Sequence, residues 1–290
     1  KDALVTTQNI RMGSLRIRER LAGIQSETEH YEEMVEELIW NEVSSFKKMY
    51  LKDRKIENIM LIGDVFTDSV YQNIEEKTTK IISRENFNEK IIHQSPMELA
   101  VKLGIPLENA SLMYPSAVIY KCLIDMMGAE HIWIPGVHMT RGIAYEYAEQ
   151  MKLLKGGHNF ENDILMAAKN IGKRYAVNRP HVQNLEMTAL AMFDATKKMH
   201  GMKERERLLL QMAVMLHDVG KYISFNNVAD SSYNIIMSNE IIGLSHIERE
   251  MVALIARYNT VTLPSYDELV MESSLSAEQY LTVSELTAIV

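Results

Sequence analysis

Leu216-His217-Asp218-Val219-Gly220-Lys221 is the stretch on which the reading of this chain turns. It closes a segment whose apolar residues Leu208, Leu209, Met212, Ala213 and Leu216 recur at helical spacing, so His217 is carried at the edge of a buried face. Neighbours on a helix lie about 100° apart, so an adjacent His and Asp at a helix end can lean toward one point. Imidazole nitrogen and carboxylate oxygen both suit a hard or borderline divalent cation. A second histidine, His181, opens an upstream helical pattern. His181, His217 and Asp218 are therefore candidate metal ligands; the competing reading is a hydrogen-bonded polar cluster joining core helices. Lys221 is taken as a solvated charge near the negative end of a helix rather than a phosphate contact.

Outward from this point the chain changes character once. After Gly157 the pattern holds no strand, and helices are expected near 161–173, 181–200, 203–217, 229–239, 246–258 and 275–290. Before it, strand and helix patterns alternate. A strand or hairpin is expected over 5–10, a long helix over 27–51, and the clearest strand at Ile56–Gly63, a short apolar run ended by glycine. Helices follow at 84–93, at 96–103 with Pro96 in the first turn, at Ser116–Met127 stopped by Gly128, and over 140–154, with a short strand at His131–Ile134. Lys155-Gly156-Gly157-His158-Asn159 is the linker, so 1–153 reads as an α/β domain and 154–290 as an all-helical one. The chain starts Lys1-Asp2-Ala3 without Met and stops inside an amphipathic pattern; it reads as a fragment, and any further Asp ligand is expected beyond Val290.

Composition narrows the function classes. With 47% hydrophobic and 24% charged residues over 290 positions, the chain can build real cores. A net charge of −8 argues against general binding of nucleic acid or an anionic membrane. One cysteine, Cys122, rules out an intrachain disulfide and fits a reducing cytoplasm. No apolar run is long enough to span a bilayer. Met187, Met192, Met212 and Met215 at helical spacing read as core filler, and His138 and His158 as loop surface. Neither a Walker loop nor a nucleophile elbow is present.

Several separate segments resemble, in order and spacing, the exopolyphosphatase and guanosine-pentaphosphate phosphohydrolase (Ppx/GppA) family. Met12-Gly13-Ser14-Leu15-Arg16 is similar to the entry after a first phosphate loop, and Leu61-Ile62-Gly63-Asp64-Val65-Phe66-Thr67 to a second one. Tyr114-Pro115-Ser116-Ala117, Ile132-Trp133-Ile134 and Thr140-Arg141-Gly142 resemble the end of an actin-like domain. His181, His217-Asp218 and Ile255-Ala256-Arg257-Tyr258 resemble the helical domain that follows it, which is HD-like: an adjacent His-Asp pair with a distant His is how HD-type metal phosphohydrolases begin their site. The fold so implied is an actin-like (ribonuclease H-like) α/β domain followed by an HD-like helical domain. The first actin-like domain, with the carboxylate that serves as general base on water, is expected upstream of Lys1.

The resemblance implies water attack on a terminal phosphoryl group of inorganic polyphosphate or guanosine pentaphosphate, with Mg²⁺ in the full-length enzyme. Gly63 and Thr67 are the phosphate-binding candidates. Val65 and Phe66 stand where the family has loop glycines, Asn259 where it often has a histidine, and Ala229 and Ser231 at positions that often carry imidazoles. Two other readings stay open: a degenerate member that binds a phosphorylated ligand or partner without turnover, and a metal-dependent HD-type phosphohydrolase. The metal at the His-Asp site is expected to be absent or weakly held, and a homodimer is left open.

Overall fold

The computed structural model describes residues 6–7, 9–10, 12–21, 31–51, 54–63, 67, 81–84, 96–154 and 159–290. The chain divides into two compact units, Ile10–Gly157 and His158–Val290, the second joined by Lys1–Asn9. The division falls inside the glycine-rich linker. The opening residues belong with the helices because the Thr7 hydroxyl donates to the Glu240 carbonyl at 3.0 Å and Arg174 reaches both Thr6 and Asn239. Residues 6, 7, 9 and 10 take no regular structure, so the strand expected over 5–10 is not formed by them.

In the first unit, α1 (Ser14–Leu21) and α2 (Tyr31–Phe46, running into a π turn over Lys47–Leu51) precede β1 (Asn58–Met60) and β2 (Ile81–Ser83). Then come α3 (Pro96–Leu103), α4 (Leu107–Met127), β3 (His131–Trp133) and α5 (Met139–Gln150). The three strands form one sheet in the order β1-β3-β2, with β1 parallel and β2 antiparallel to β3. Ile132 is the register point, opposite Ile59 on one side and Ile82 on the other. The helix expected at 84–93 lies almost wholly outside the described residues.

Helix α4 organises this unit because it is apolar on two faces. Ala110, Met113, Ala117 and Ile124 join Leu61, Ile132 and Ile134 in one core, while Val118, Cys122 and Met126 join Ile17, Val35, Ile39 and Val43 in another. The helix begins at Leu107, well before the expected Ser116, and carries the buried Pro115 inside it. An interior proline forfeits a backbone bond and costs roughly 3 kcal/mol. Burial of both faces offsets that cost, which local propensity alone could not foresee. Gly128 ends the helix as expected, at φ 68° with its N–H on the Ile124 carbonyl.

The second unit is helical, with no strand among the described residues. Its elements are α6 (Phe160–Arg174), α7 (Arg179–His200), α8 (Glu204–Leu216), a 3₁₀ turn (Val219–Tyr222), α9 (Val228–Ser238), α10 (His246–Tyr258), α11 (Tyr266–Leu269) and α12 (Ala277–Thr287). Helix α8 is central and packs on α6, α7, α10 and α12. Its Leu208–Leu210 and Met212–Leu216 are all buried, as are Phe193 of α7 and Val252–Ala256 of α10. Of the methionines expected in the core, Met212 and Met215 are buried, but Met187 and Met192 are exposed because α7 turns that side to solvent. Helix starts are set by side-chain caps: Asn159 on Asn162 N, Asn178 on His181 N, and Ser245 paired reciprocally with Glu248. Each such cap stabilises by about 0.5–2 kcal/mol. His138 is exposed at the start of α5, and His158 lies outside the described residues.

Candidate functional site

The burial of α8 fixes where His217 and Asp218 emerge. With Leu216 fully inside the core, His217 caps the helix in helical backbone (φ −56°, ψ −33°) and Asp218 turns the chain into the 3₁₀ turn. Both side chains stay largely buried, at 8% and 11% exposure, so they are held rather than solvated. His217 Nδ1 lies 2.8 Å from the Val214 carbonyl, which can only accept, so Nδ1 carries a proton. That contact turns Nε2 to Asp218 Oδ1 at 3.4 Å.

His181 comes from the first turn of α7, where Asn178 caps its N–H. Its ring centroid is 5.6 Å from that of His217, and one ligand atom from each of His181, His217 and Asp218 lies within 4.8 Å of the others. The three residues singled out in the sequence thus converge. No other His, Cys, Asp or Glu joins the group among the described residues. The register between α7 and α8 that permits this is locked by Arg207 forking onto both oxygens of Asp194 at 2.9 Å and by Gln211 on Glu186 at 2.7 Å.

The Asp218 carboxyl is drawn down to about 2: burial pushes it up, but hydrogen bonds from His217 and Lys221 outweigh the burial. Lys221 is the correction the structure makes to the sequence reading. Its ammonium is an ion pair with Asp218 Oδ2 at 2.6 Å, not a free helix-end charge. The 3₁₀ turn causes this, because the backbone bond from Lys221 N to the Asp218 carbonyl at 3.0 Å brings residues three apart onto one side.

Two further residues hold the site and were not singled out from sequence. The Ser232 hydroxyl, buried in α9, donates to the His217 carbonyl at 2.7 Å and accepts from Gly220 N at 2.9 Å. Gly220 is what lets the turn approach so closely: a Cβ there would lie 2.2 Å from the Val228 carbonyl oxygen and 2.6 Å from Ser232 N. A glycine two residues after the His-Asp pair was the available signal for such an approach. Ser232 offered none, since the second serine of the Ser231-Ser232 pair has many ordinary uses.

The donor set suits a divalent cation: two imidazoles and one carboxylate. Ligands of one ion sit about 2 Å from it, hence about 3–4 Å apart, so closing on an ion requires about 1–2 Å of side-chain movement. The phosphate candidates lie in the other unit. Gly63 is exposed with φ 89°, a conformation glycine tolerates, and Thr67 is buried. Residues 64–66 between them lie outside the described residues.

Residues 165–289 match the family model for the Ppx/GppA phosphatase, domain III. The chain is also similar to the guanosine-5'-triphosphate,3'-diphosphate pyrophosphatase of Vibrio atlanticus (strain LGP32), with 21% identity over 218 residues. That alignment covers 74% of this chain and 42% of the relative, so the chain spans about two fifths of the relative's length. It is longer than the helical unit, so the likeness runs into the α/β unit as well. Among the described residues no helix is long and apolar enough to cross a membrane.

Proposed function

We propose, the chain being a member of the Ppx/GppA phosphatase family through its domain III, that it forms part of a phosphoanhydride hydrolase acting on guanosine pentaphosphate or inorganic polyphosphate. The observation that carries this reading is the similarity to a guanosine pentaphosphate-cleaving relative that extends over both units. In this reading residues 10–157 are the second half of an actin-like core, and the parallel pairing of β1 with β3 supports that assignment. Gly63 offers backbone that a phosphate can approach closely, and Thr67 follows four residues later. The general base on the attacking water is assigned to the part of such a protein that this chain does not cover. Bound Mg²⁺ would supply charge neutralisation on the phosphoryl oxygens. The helical unit is HD-like in this reading, and the protein works in the cytoplasm.

Terminal phosphate release from guanosine pentaphosphate and polyphosphate, measured in Mg²⁺ on the protein from the full reading frame, tests this. Release abolished by a substitution in its upstream acid is expected. Tight binding of either compound with no release would instead make the protein a non-catalytic member.

A second reading is favoured by one observation, the convergence of His181, His217 and Asp218. In it the helical unit holds a divalent cation, weakly, since three protein ligands leave solvent to complete the shell.

A further inference from the structure

We infer that Lys221 is a tethered cation that occupies the place of a divalent ion at the His181–His217–Asp218 cluster and sets how weakly that cluster takes up metal. The inference rests on the second reading above. Among the described residues the cluster contains a single carboxylate, Asp218. One of its oxygens faces His217 Nε2, and the other carries the Lys221 ammonium at 2.6 Å. One negative charge is therefore already balanced by one positive charge.

The placement of Lys221 is built into the backbone rather than left to a wandering side chain. Its N–H is bonded to the Asp218 carbonyl, and the turn that carries both is pinned to α9 through Ser232 and Gly220. An ion about 2 Å from either oxygen of the Asp218 carboxylate would lie roughly 4–6 Å from that ammonium. Even at the dielectric constant of water, a double and a single charge at that separation repel enough to weaken binding about tenfold, and more in a partly buried site. The ammonium can yield, because the Lys221 side chain is 47% exposed and has solvent to swing into. The cluster therefore accepts an ion only against the ammonium's charge or after the ammonium has swung away from Asp218. The wild-type site is weak for a local reason that one residue controls.

The test is calorimetric titration of the 290-residue chain with Mn²⁺ and, separately, Zn²⁺. Lys221→Met keeps the apolar stem and removes the charge, Lys221→Arg keeps the charge, and circular dichroism verifies that both fold. Lys221→Met is expected to bind at least about tenfold tighter than wild type. Lys221→Arg is expected to bind like wild type, and Lys221→Met combined with His217→Ala to lose the gain. Lys221→Met binding no tighter, while His217→Ala abolishes wild-type binding, overturns the role of Lys221 and leaves the metal reading standing. Binding by none of the proteins, or a gain that survives His217→Ala, overturns both.

Discussion

Gly220→Ala tests the claim that the site is held by contact between the 3₁₀ turn and α9. The added methyl would sit 2.2 Å from the Val228 carbonyl oxygen and 2.7 Å from Ser232 Oγ. Neither the backbone carbonyl nor a buried hydroxyl can move away without shifting the start of α9. Overpacking of this kind costs typically 1–3 kcal/mol, and the shift also strains the two hydrogen bonds of Ser232, each worth about 1 kcal/mol. A loss of about 3–5 kcal/mol is expected. Ser232→Ala leaves the His217 carbonyl and the Gly220 N–H buried without their partner, and about 2 kcal/mol is expected for it. The double variant should lose less than the sum, since both changes break one junction. Urea unfolding followed by far-ultraviolet circular dichroism reads these losses as shifts in midpoint at constant slope. Trp40 and Trp133 both lie in the α/β unit, so the part of the transition that tryptophan fluorescence does not follow belongs to the helices. Gly220→Ala costing under about 1 kcal/mol, or strictly additive losses, would refute the reasoning.

Arg205 holds Glu248 through its Nε at 2.6 Å and a second nitrogen at 2.9 Å, and that side-chain hydrogen bond, against burial, draws the Glu248 carboxyl from 4.5 to about 2. A depressed carboxyl contributes stability above its unfolded value that is lost as pH falls, here from near 4.5 through about 2. Arg205→Ala should therefore cost about 1 kcal/mol at neutral pH and move acid unfolding of the helical unit to higher pH; an unmoved acid midpoint counts against it. Glu250 is 4% exposed, and its Oε2 has no hydrogen-bond partner among the described residues. Glu250→Met should be neutral or stabilising by about 1–2 kcal/mol, and a clear loss in urea would show that the carboxylate is bonded. The 290-residue chain by itself should release no phosphate from polyphosphate or guanosine pentaphosphate in Mg²⁺. Release above a buffer blank that is lost on substituting a residue of this chain would relocate the active site.

The helical half was largely legible because its signals are local. Ser245 and Glu248 bracket the start of α10, and Gly201 at φ 68° ends α7, so the boundaries follow from residues within one turn. The convergence of His181 with His217 and Asp218 was legible too, from the resemblance to the Ppx/GppA helical domain together with the apolar stripe beside each residue. What was not legible depends on partners distant in sequence or on the exact local turn. Pro115 reads as a helix breaker until both faces of α4 find a core. Strand β2 is three residues that pair only because β3 offers an edge. Lys221 looks like a solvated charge until a 3₁₀ turn, rather than a continued α-helix, sets its side chain on Asp218.

Helix α10 has a consequence in time rather than in energy. Glu250 through Ala256 are consecutively buried, so the helix shows no face to solvent for nearly two turns, and it packs on α8, α9 and α12 at once. Deuterium cannot reach these amides through fraying or through the local opening of one neighbour. The backbone amides of Met251–Ala256 should therefore be among the last in the helical unit to exchange, at a rate set by its global unfolding, while amides near the exposed ends of α7 exchange far earlier. Their exchange would act as a clock for the whole unit, one that any ligand stabilising the fold slows by the factor with which it binds.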